Sequence, residues 1–259
     1  MQQTNGTAGN GQSAALPIFY RRPRPLDATG DRGLSLQPVT DFGFARATNS
    51  VLLGAAEYPR AMRNYPIVFT SREPRVAVAV LGLEGNENLL VGEDGRWREG
   101  EYIPAYIRRY PFIFLEQPGK AELTLCIDEA PGLLTQSDDR LLFEGGEPTQ
   151  LVRNALNFCR EFHEQTLASG AFVAELAQRG LLVPNEARIR LDSGKELTLR
   201  DFQIVDEAKF NALPDDVFLD WRRRGWLPLV YAHLMSMASW AGLVELEAKK
   251  QQGAAAALN

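Results

Sequence analysis

The feature that most constrains this 259-residue chain is a stretch without a single charge, Gly225 to Val244. Twenty residues would reach across a bilayer at about 1.5 Å per residue. The stretch also holds Pro228, His233, Ser236, Ser239 and two glycines. Leu227, Val230, Leu234, Met237, Ala241 and Val244 recur at alternating intervals of three and four residues. That rhythm predicts a helix burying one face in protein. Tyr231, Met235 and Trp240 make the other face apolar too. The expectation is therefore a central, buried C-terminal helix and no transmembrane span.

The rest of the chain sorts into blocks. Residues 1–15 carry no charge and are rich in Gln, Thr, Asn, Gly, Ser and Ala. They lack the basic start and apolar run of a secretory signal, so a disordered tail and a cytoplasmic location are expected, with signal-less export to the cell surface as the alternative. Leu16 to Leu26 contains Arg21-Arg22-Pro23-Arg24-Pro25, an extended arm expected to lie across the folded body. From Leu34 to Phe143 short apolar runs are broken by Gly, Pro, Asn and Asp, which reads as mostly antiparallel β. Tyr65–Phe69 and Val76–Leu81 flank Ser71-Arg72-Glu73-Pro74 as a hairpin. Tyr110–Leu115 and Leu123–Ile127 flank Gln117-Pro118-Gly119 as another. A short helix is expected within Ala56–Asn64.

Glu147 to Gly180 switches to helical spacing, with Pro148 in its first turn and Gly170 breaking the run. A further hairpin is expected around Asp192-Ser193-Gly194-Lys195, then helices over Asp206–Leu213 and Asp215–Arg224, then the apolar helix. After Lys250 a frayed Gln/Gly/Ala tail is expected over 249–259. Strands, helices, a hairpin and more helices in that order predict one α+β domain over residues 16–248.

Composition excludes several functions. With 28 basic and 33 acidic residues the net charge is −5, which argues against a nucleic-acid binder relying on bulk positive charge. Two cysteines make no disulfide scaffold, and two histidines exclude a multi-His metal site. Gly194-Lys195 lacks the rest of a phosphate loop, no dinucleotide fingerprint follows a strand, and no nucleophile elbow occurs. His163-Glu164 begins a zinc-protease pattern, but Leu167 stands where the second His belongs. No cofactor or metal is expected. Asn86, Glu87, Glu93 and Asp94 form an oxygen-rich stretch, but their spacing is not that of an EF-hand, and ordinary turns are the expectation.

Two groups of residues remain. Asp128 and Glu129 follow an apolar strand, and with His163 they are the weak candidates for acid–base chemistry. Acids at strand ends also cap the next turn, as Asp206 would cap a helix. The denser signal is Trp97 to Phe112, which holds Trp97, Tyr102, Tyr106, Arg108, Arg109 and Tyr110. Arginine beside aromatics is the composition of recognition surfaces, because a planar guanidinium both stacks and pairs bidentately. The competing reading puts the aromatics in the β core and pairs the arginines internally. With Arg21, Arg22 and Arg24 of the arm, Trp97, Tyr102, Arg108, Arg109 and Tyr110 are the candidate binding residues.

At these residues the chain resembles a family. Tyr65-Pro66-Ile67-Val68-Phe69, the block Tyr102 to Phe112 with its Arg-Arg-Tyr-Pro-Phe core, Cys126-Ile127-Asp128-Glu129, Leu142 to Glu147 and Phe202 to Glu207 resemble, in this order, the bacterial SapC family. The likeness covers about Leu16 to Ala241. Asn64 and Asp31-Arg32 stand where the family often carries His. The resemblance implies a connection with a paracrystalline bacterial surface layer and carries no catalytic residue set. A permease is excluded, since such a protein needs several spans. The expectation is a soluble accessory protein that recognises another protein or peptide in surface-layer or envelope-protein biogenesis. The alternatives are an enzyme, or an enzyme's partner subunit, that modifies peptides or surface polymers, and a structural component of the layer; homo-oligomers fit any of these.

Overall fold

The computed structural model describes residues 16–115, 123–129, 132–191 and 194–257. In chain order these form β1 (Pro23–Pro25), β2 (Leu34–Leu36), β3 (Ser50–Leu52), the single turn α1 (Tyr58–Ala61), β4 (Ile67–Thr70), β5 (Ala77–Val80), α2 (Ala105–Arg108), β6 (Phe112–Leu115), β7 (Thr124–Asp128), β8 (Leu134–Gln136), and the two-residue β9 (Phe143–Glu144) and β10 (Glu147–Pro148). Then follow α3 (Gln150–Gln178), β11 (Leu182–Arg190), β12 (Glu196–Val205), α4 (Glu207–Asn211), α5 (Asp215–Arg224), α6 (Leu227–Ser236) and α7 (Trp240–Ala257). The fold is α+β, with antiparallel sheets in the first half and helices concentrated in the second.

The main sheet has the order β11-β12-β4-β5-β3 and is antiparallel throughout. The expected hairpin over residues 65–81 is present, with Val68 opposite Val78. The later hairpin is longer than its four-residue cores predicted, and it joins this same sheet through β12 instead of forming a separate unit. A second sheet has the order β1-β7-β6. Its outer strand is the arm, with Arg24 opposite Ile127. The turn expected at Gln117–Gly119, the tail expected over residues 1–15 and two residues of the turn at Asp192–Lys195 lie outside the described residues.

The core is the space between the main sheet and the helices. Tyr65, Ile67, Phe69 and Leu81 bury fully from the sheet side, against Phe172 of α3, Phe210 of α4 and Trp221 of α5. A smaller cluster, around Phe112, Ile127 and Cys159, fills the space between the second sheet and α3. Each fully buried aromatic or branched side chain here stabilises the fold by about 1.5–3 kcal/mol in transfer free energy.

Helix α6 is fastened to the sheet by polar atoms. Val205 N–H donates to His233 Nε2 at 3.0 Å, and His233 Nδ1 lies 2.7 Å from the Ile67 carbonyl. Those contacts assign the proton to Nδ1. β12 and β4 pair Phe202 with Thr70 and Gln203 with Phe69. Continuing that register would pair Val205 with Ile67, but the imidazole stands between them. Ser236, one turn on, accepts from Ile67 N–H at 2.9 Å and donates to the His233 carbonyl. His233, a residue of the uncharged stretch, is thus a core residue with both ring nitrogens satisfied.

Four local expectations change. Helix α3 runs straight through Gly170, since a single glycine costs a helix only about 1 kcal/mol. Pro148 is not in its first turn but pairs with Phe143 ahead of it. The C-terminal helix is not central: Leu227–Gly253 is apolar and long enough to cross a bilayer, but only 28% of its most apolar window is buried. Tyr231 and Met235 face outward, and a 3₁₀ turn at Met237–Ser239 separates α6 from α7. Finally, α7 continues to Ala257, past the expected end near Lys250.

Candidate functional site

The arm is held to the body by Asp128. This carboxylate ends β7, is fully buried, and accepts from Arg21 N–H at 3.1 Å, Arg22 N–H at 2.6 Å and the Tyr110 hydroxyl at 3.1 Å. The turn it caps is the arm, some 107 residues away in sequence. Burial and the adjoining Asp128 carboxylate together push the Tyr110 hydroxyl above the ordinary phenol range. Arg24 forks onto the buried Asp31 and also pairs with Glu129, and the Asp31 contact holds its guanidinium more firmly protonated. Arg22 reaches the Glu129 carbonyl at 3.0 Å.

The acid–base candidates therefore sit apart. Asp128 and Glu129 are engaged with the arm, while His163 is exposed on α3. No described hydrogen bond or ion pair joins His163 to either carboxylate. Asn64 and Asp31 are structural here: Asn64 bonds Glu101 and the Tyr102 amide, and Asp31 takes Arg24.

The aromatic–arginine segment splits into an inner and an outer half. Helix α2 turns about 100° per residue, so neighbours Arg108 and Arg109 diverge. Arg108 is exposed, donating to the Ile103 carbonyl at 2.9 Å and the Tyr102 hydroxyl at 3.0 Å, and it covers the Phe158 ring at 5.1 Å. Tyr102 in turn donates to Glu57. Arg109 points inward: its guanidinium lies 4.2 Å from the Tyr106 ring centroid, 4.7 Å from Phe162 and 5.7 Å from Tyr20. Among the described residues neither arginine forms an ion pair with an acid, so the internal reading holds for the burial of Trp97, Tyr106 and Tyr110 and for the inward turn of Arg109 but not for charge pairing. The same guanidinium faces the buried Cys159, whose thiol burial pushes up to about 11. Trp97 and Tyr110 are buried, and Tyr110 stacks on Phe44 at 4.1 Å.

Where arm and segment meet, the surface opens into a groove of about 790 Å³. Its walls include Phe19, Val39, Phe44, Tyr110 and Leu133, and Arg21 and Asp41 bring charge to it. Phe19 adopts φ +83°, a strained value for a bulky residue. Edge contacts to Phe44 at 5.3 Å and Tyr106 at 5.6 Å hold it there. That conformation turns Phe19 inward and leaves Ile18 about half exposed. Asp41 is placed by the Gly43 amide and by Gly95, where a Cβ would lie 2.2 Å from the Asp41 carboxylate at φ +78°. Arg21 is held to the fold by its main chain, so its side chain is available to an occupant. A trough that mixes aromatic and aliphatic side chains with polar groups and one charge of each sign suits an extended peptide carrying an apolar side chain.

Of the groove's lining, the sequence had singled out Arg21 and Tyr110 as binding residues and Asn86 only as part of an oxygen-rich turn. Phe19, Val39, Phe44 and Leu133 come from three separate segments, before β1, between β2 and β3, and before β8, and carry no common spacing. A left-handed phenylalanine leaves no signature in the sequence either.

A family model described as SapC matches residues 26–243, most of the chain. No curated protein and no solved structure shows significant similarity to it.

Proposed function

The chain belongs to the SapC family, and from that premise we propose that it is a binding protein that recognises a peptide segment of another protein during bacterial surface-layer or envelope-protein biogenesis. The single observation that carries this reading is the groove beside the arm, which brings Phe19, Phe44, Tyr110 and Leu133 together with Arg21 and Asp41. The exposed Arg108, stacked on Tyr102 and Phe158, offers a second contact on the same segment. The enzyme alternative draws less support: two of its three candidates, Asp128 and Glu129, hold the arm, and no described hydrogen bond or ion pair joins His163 to them.

The test compares tagged wild-type protein with Ala47→Arg and Arg21→Glu in pull-downs from the native lysate. Ala47 is an exposed residue of the groove wall, so an arginine there fills the trough without entering the core. A protein recovered stoichiometrically by wild type and at least tenfold less by both variants is the expected outcome, a loss of about 1.4 kcal/mol or more. Equal recovery by all three would refute the groove as the binding site.

A further inference from the structure

A third region bears on neither the arm nor the groove. Glu84 and Glu87 lie in the turn after β5, and Glu247 lies on α7. One carboxylate oxygen from each is within 4.8 Å of the other two. Glu247 is 1% exposed. Its Oε2, and Oε2 of Glu87, are both shut off from solvent without a hydrogen-bond donor. The nearby cations satisfy the cluster incompletely. Lys195 pairs with Glu84 and Lys250 with Glu87, but the Lys250 ammonium stays 3.8 Å from Glu247 Oε2, beyond hydrogen-bond reach. Gln251 donates to Glu247 at Oε1, at 2.8 Å, and leaves Oε2 bare. Three carboxylates face two ammoniums, and two buried oxygens keep free lone pairs. Buried carboxylate oxygens without donors are costly unless a cation takes them.

We propose that Glu84, Glu87 and Glu247 form a binding site for a divalent cation of calcium size, in which Lys250 is the counter-charge that the metal displaces. All the donors are hard oxygens, which exclude the soft-ligand metals. Calcium bonds oxygen at about 2.3–2.6 Å, so oxygens on one ion stand up to roughly 5.2 Å apart, and three oxygens all within 4.8 Å of one another fit around it. Magnesium demands about 2.0–2.1 Å in strict octahedral order, a tighter cage. The turn is rigidly placed. A Cβ on Gly82 would lie 2.0 Å from the Glu87 carbonyl, and Leu89 N–H closes the loop on the Leu81 carbonyl. A cavity of about 800 Å³, lined by Asn86, Glu87, Asn88 and Lys250, opens beside the cluster and gives an ion a way in. The pattern is invisible to a loop-spacing search, because the third ligand comes from a helix 160 residues later in the chain than Glu87.

The full chain, freed of metal with a chelator, is titrated with calcium chloride by calorimetry while its melting temperature is followed. Expected are one site per chain and a raised melting temperature. Glu84→Gln, a half-buried change that leaves the fold intact, should weaken binding about tenfold or more, and Glu247→Gln should remove it. Lys250→Met should tighten it by roughly tenfold, since a competing unit charge a few ångströms away is gone. Magnesium should bind more weakly than calcium. The proposal is overturned by no heat and no melting shift up to about 10 mM calcium in both wild type and Lys250→Met, a limit beyond the weakest protein calcium sites. Calcium binding that Glu84→Gln and Lys250→Met leave unchanged would overturn it equally, by placing the ion elsewhere.

Discussion

Acidification should destabilise this protein well before its carboxylates titrate, because of one ring. His233 is fully buried between Val205 N–H and the Ile67 carbonyl, with both ring nitrogens already committed. A proton added to Nε2 would turn the acceptor for Val205 into a second donor facing an N–H. Burial accordingly holds the imidazole down to about 4, against 6.5 in the unfolded chain; the bond to the Ile67 carbonyl opposes that lowering only in part. Between those values the unfolded state binds more protons than the folded state, so stability falls as pH falls through that window. A gap of about 2.5 pH units between the two states is worth roughly 3 kcal/mol when complete. Between pH 7.5 and 5.0, above most carboxylate titration, about 2 kcal/mol should be lost. Urea unfolding followed by tryptophan fluorescence at a series of pH values measures this directly. His233→Gln, which can donate and accept but does not titrate, should abolish most of the drop. His163→Gln, on the exposed face of α3, should preserve it. A wild-type loss under about 0.5 kcal/mol, or an equal loss in His233→Gln, would refute the reasoning, since even a tenfold difference in proton affinity between the two states carries about 1.4 kcal/mol.

The remaining predictions concern the arm and its arginines. Asp128→Ala leaves two amides and the Tyr110 hydroxyl without their acceptor, which should cost about 3 kcal/mol in urea unfolding and open the Arg21–Arg22 bond to trypsin. A variant that stays trypsin-resistant would mean the β1–β7 pairing alone holds the arm. Arg109→Ala should lower stability by about 2–4 kcal/mol, because it empties a space between three rings. Arg108→Ala should cost under about 1 kcal/mol, being exposed, and comparing the two melting curves checks the inward–outward split.

Local patterns in the sequence expose local structure, and here they locate most strands and helices. The β4–β5 hairpin follows from two apolar runs and a turn, and Asp206 caps α4 by accepting from Lys209 N–H, as its place before a helix implied. What escaped the reading is long-range. Arg21 and Asp128 are 107 residues apart, and nothing in either neighbourhood tells which sheet edge receives the arm. Periodicity placed the apolar helix but could not show that Tyr231 and Met235 stay largely exposed, since an apolar residue reads the same whether covered or bare. The arginine pair was visible as composition. Which member turned inward depended on Phe162 of α3 and Tyr20 of the arm meeting it there, and those are brought together by the tertiary fold.

The anchoring of the arm has a consequence for how such a protein diversifies. Asp128 grips the main chain at Arg21 and Arg22, not their side chains. Any residue with an amide proton can be held there, and proline is barred from both positions. The fold thus places no demand on the side chain at residue 21, at the edge of the groove, and the residue is free to drift or adapt to a changing partner. Arg24, two residues beyond Arg22, has no such liberty, because its fork fits Asp31 and Glu129. One short ribbon therefore carries a fixed fastening and a variable label side by side, and a change of specificity there costs the architecture nothing.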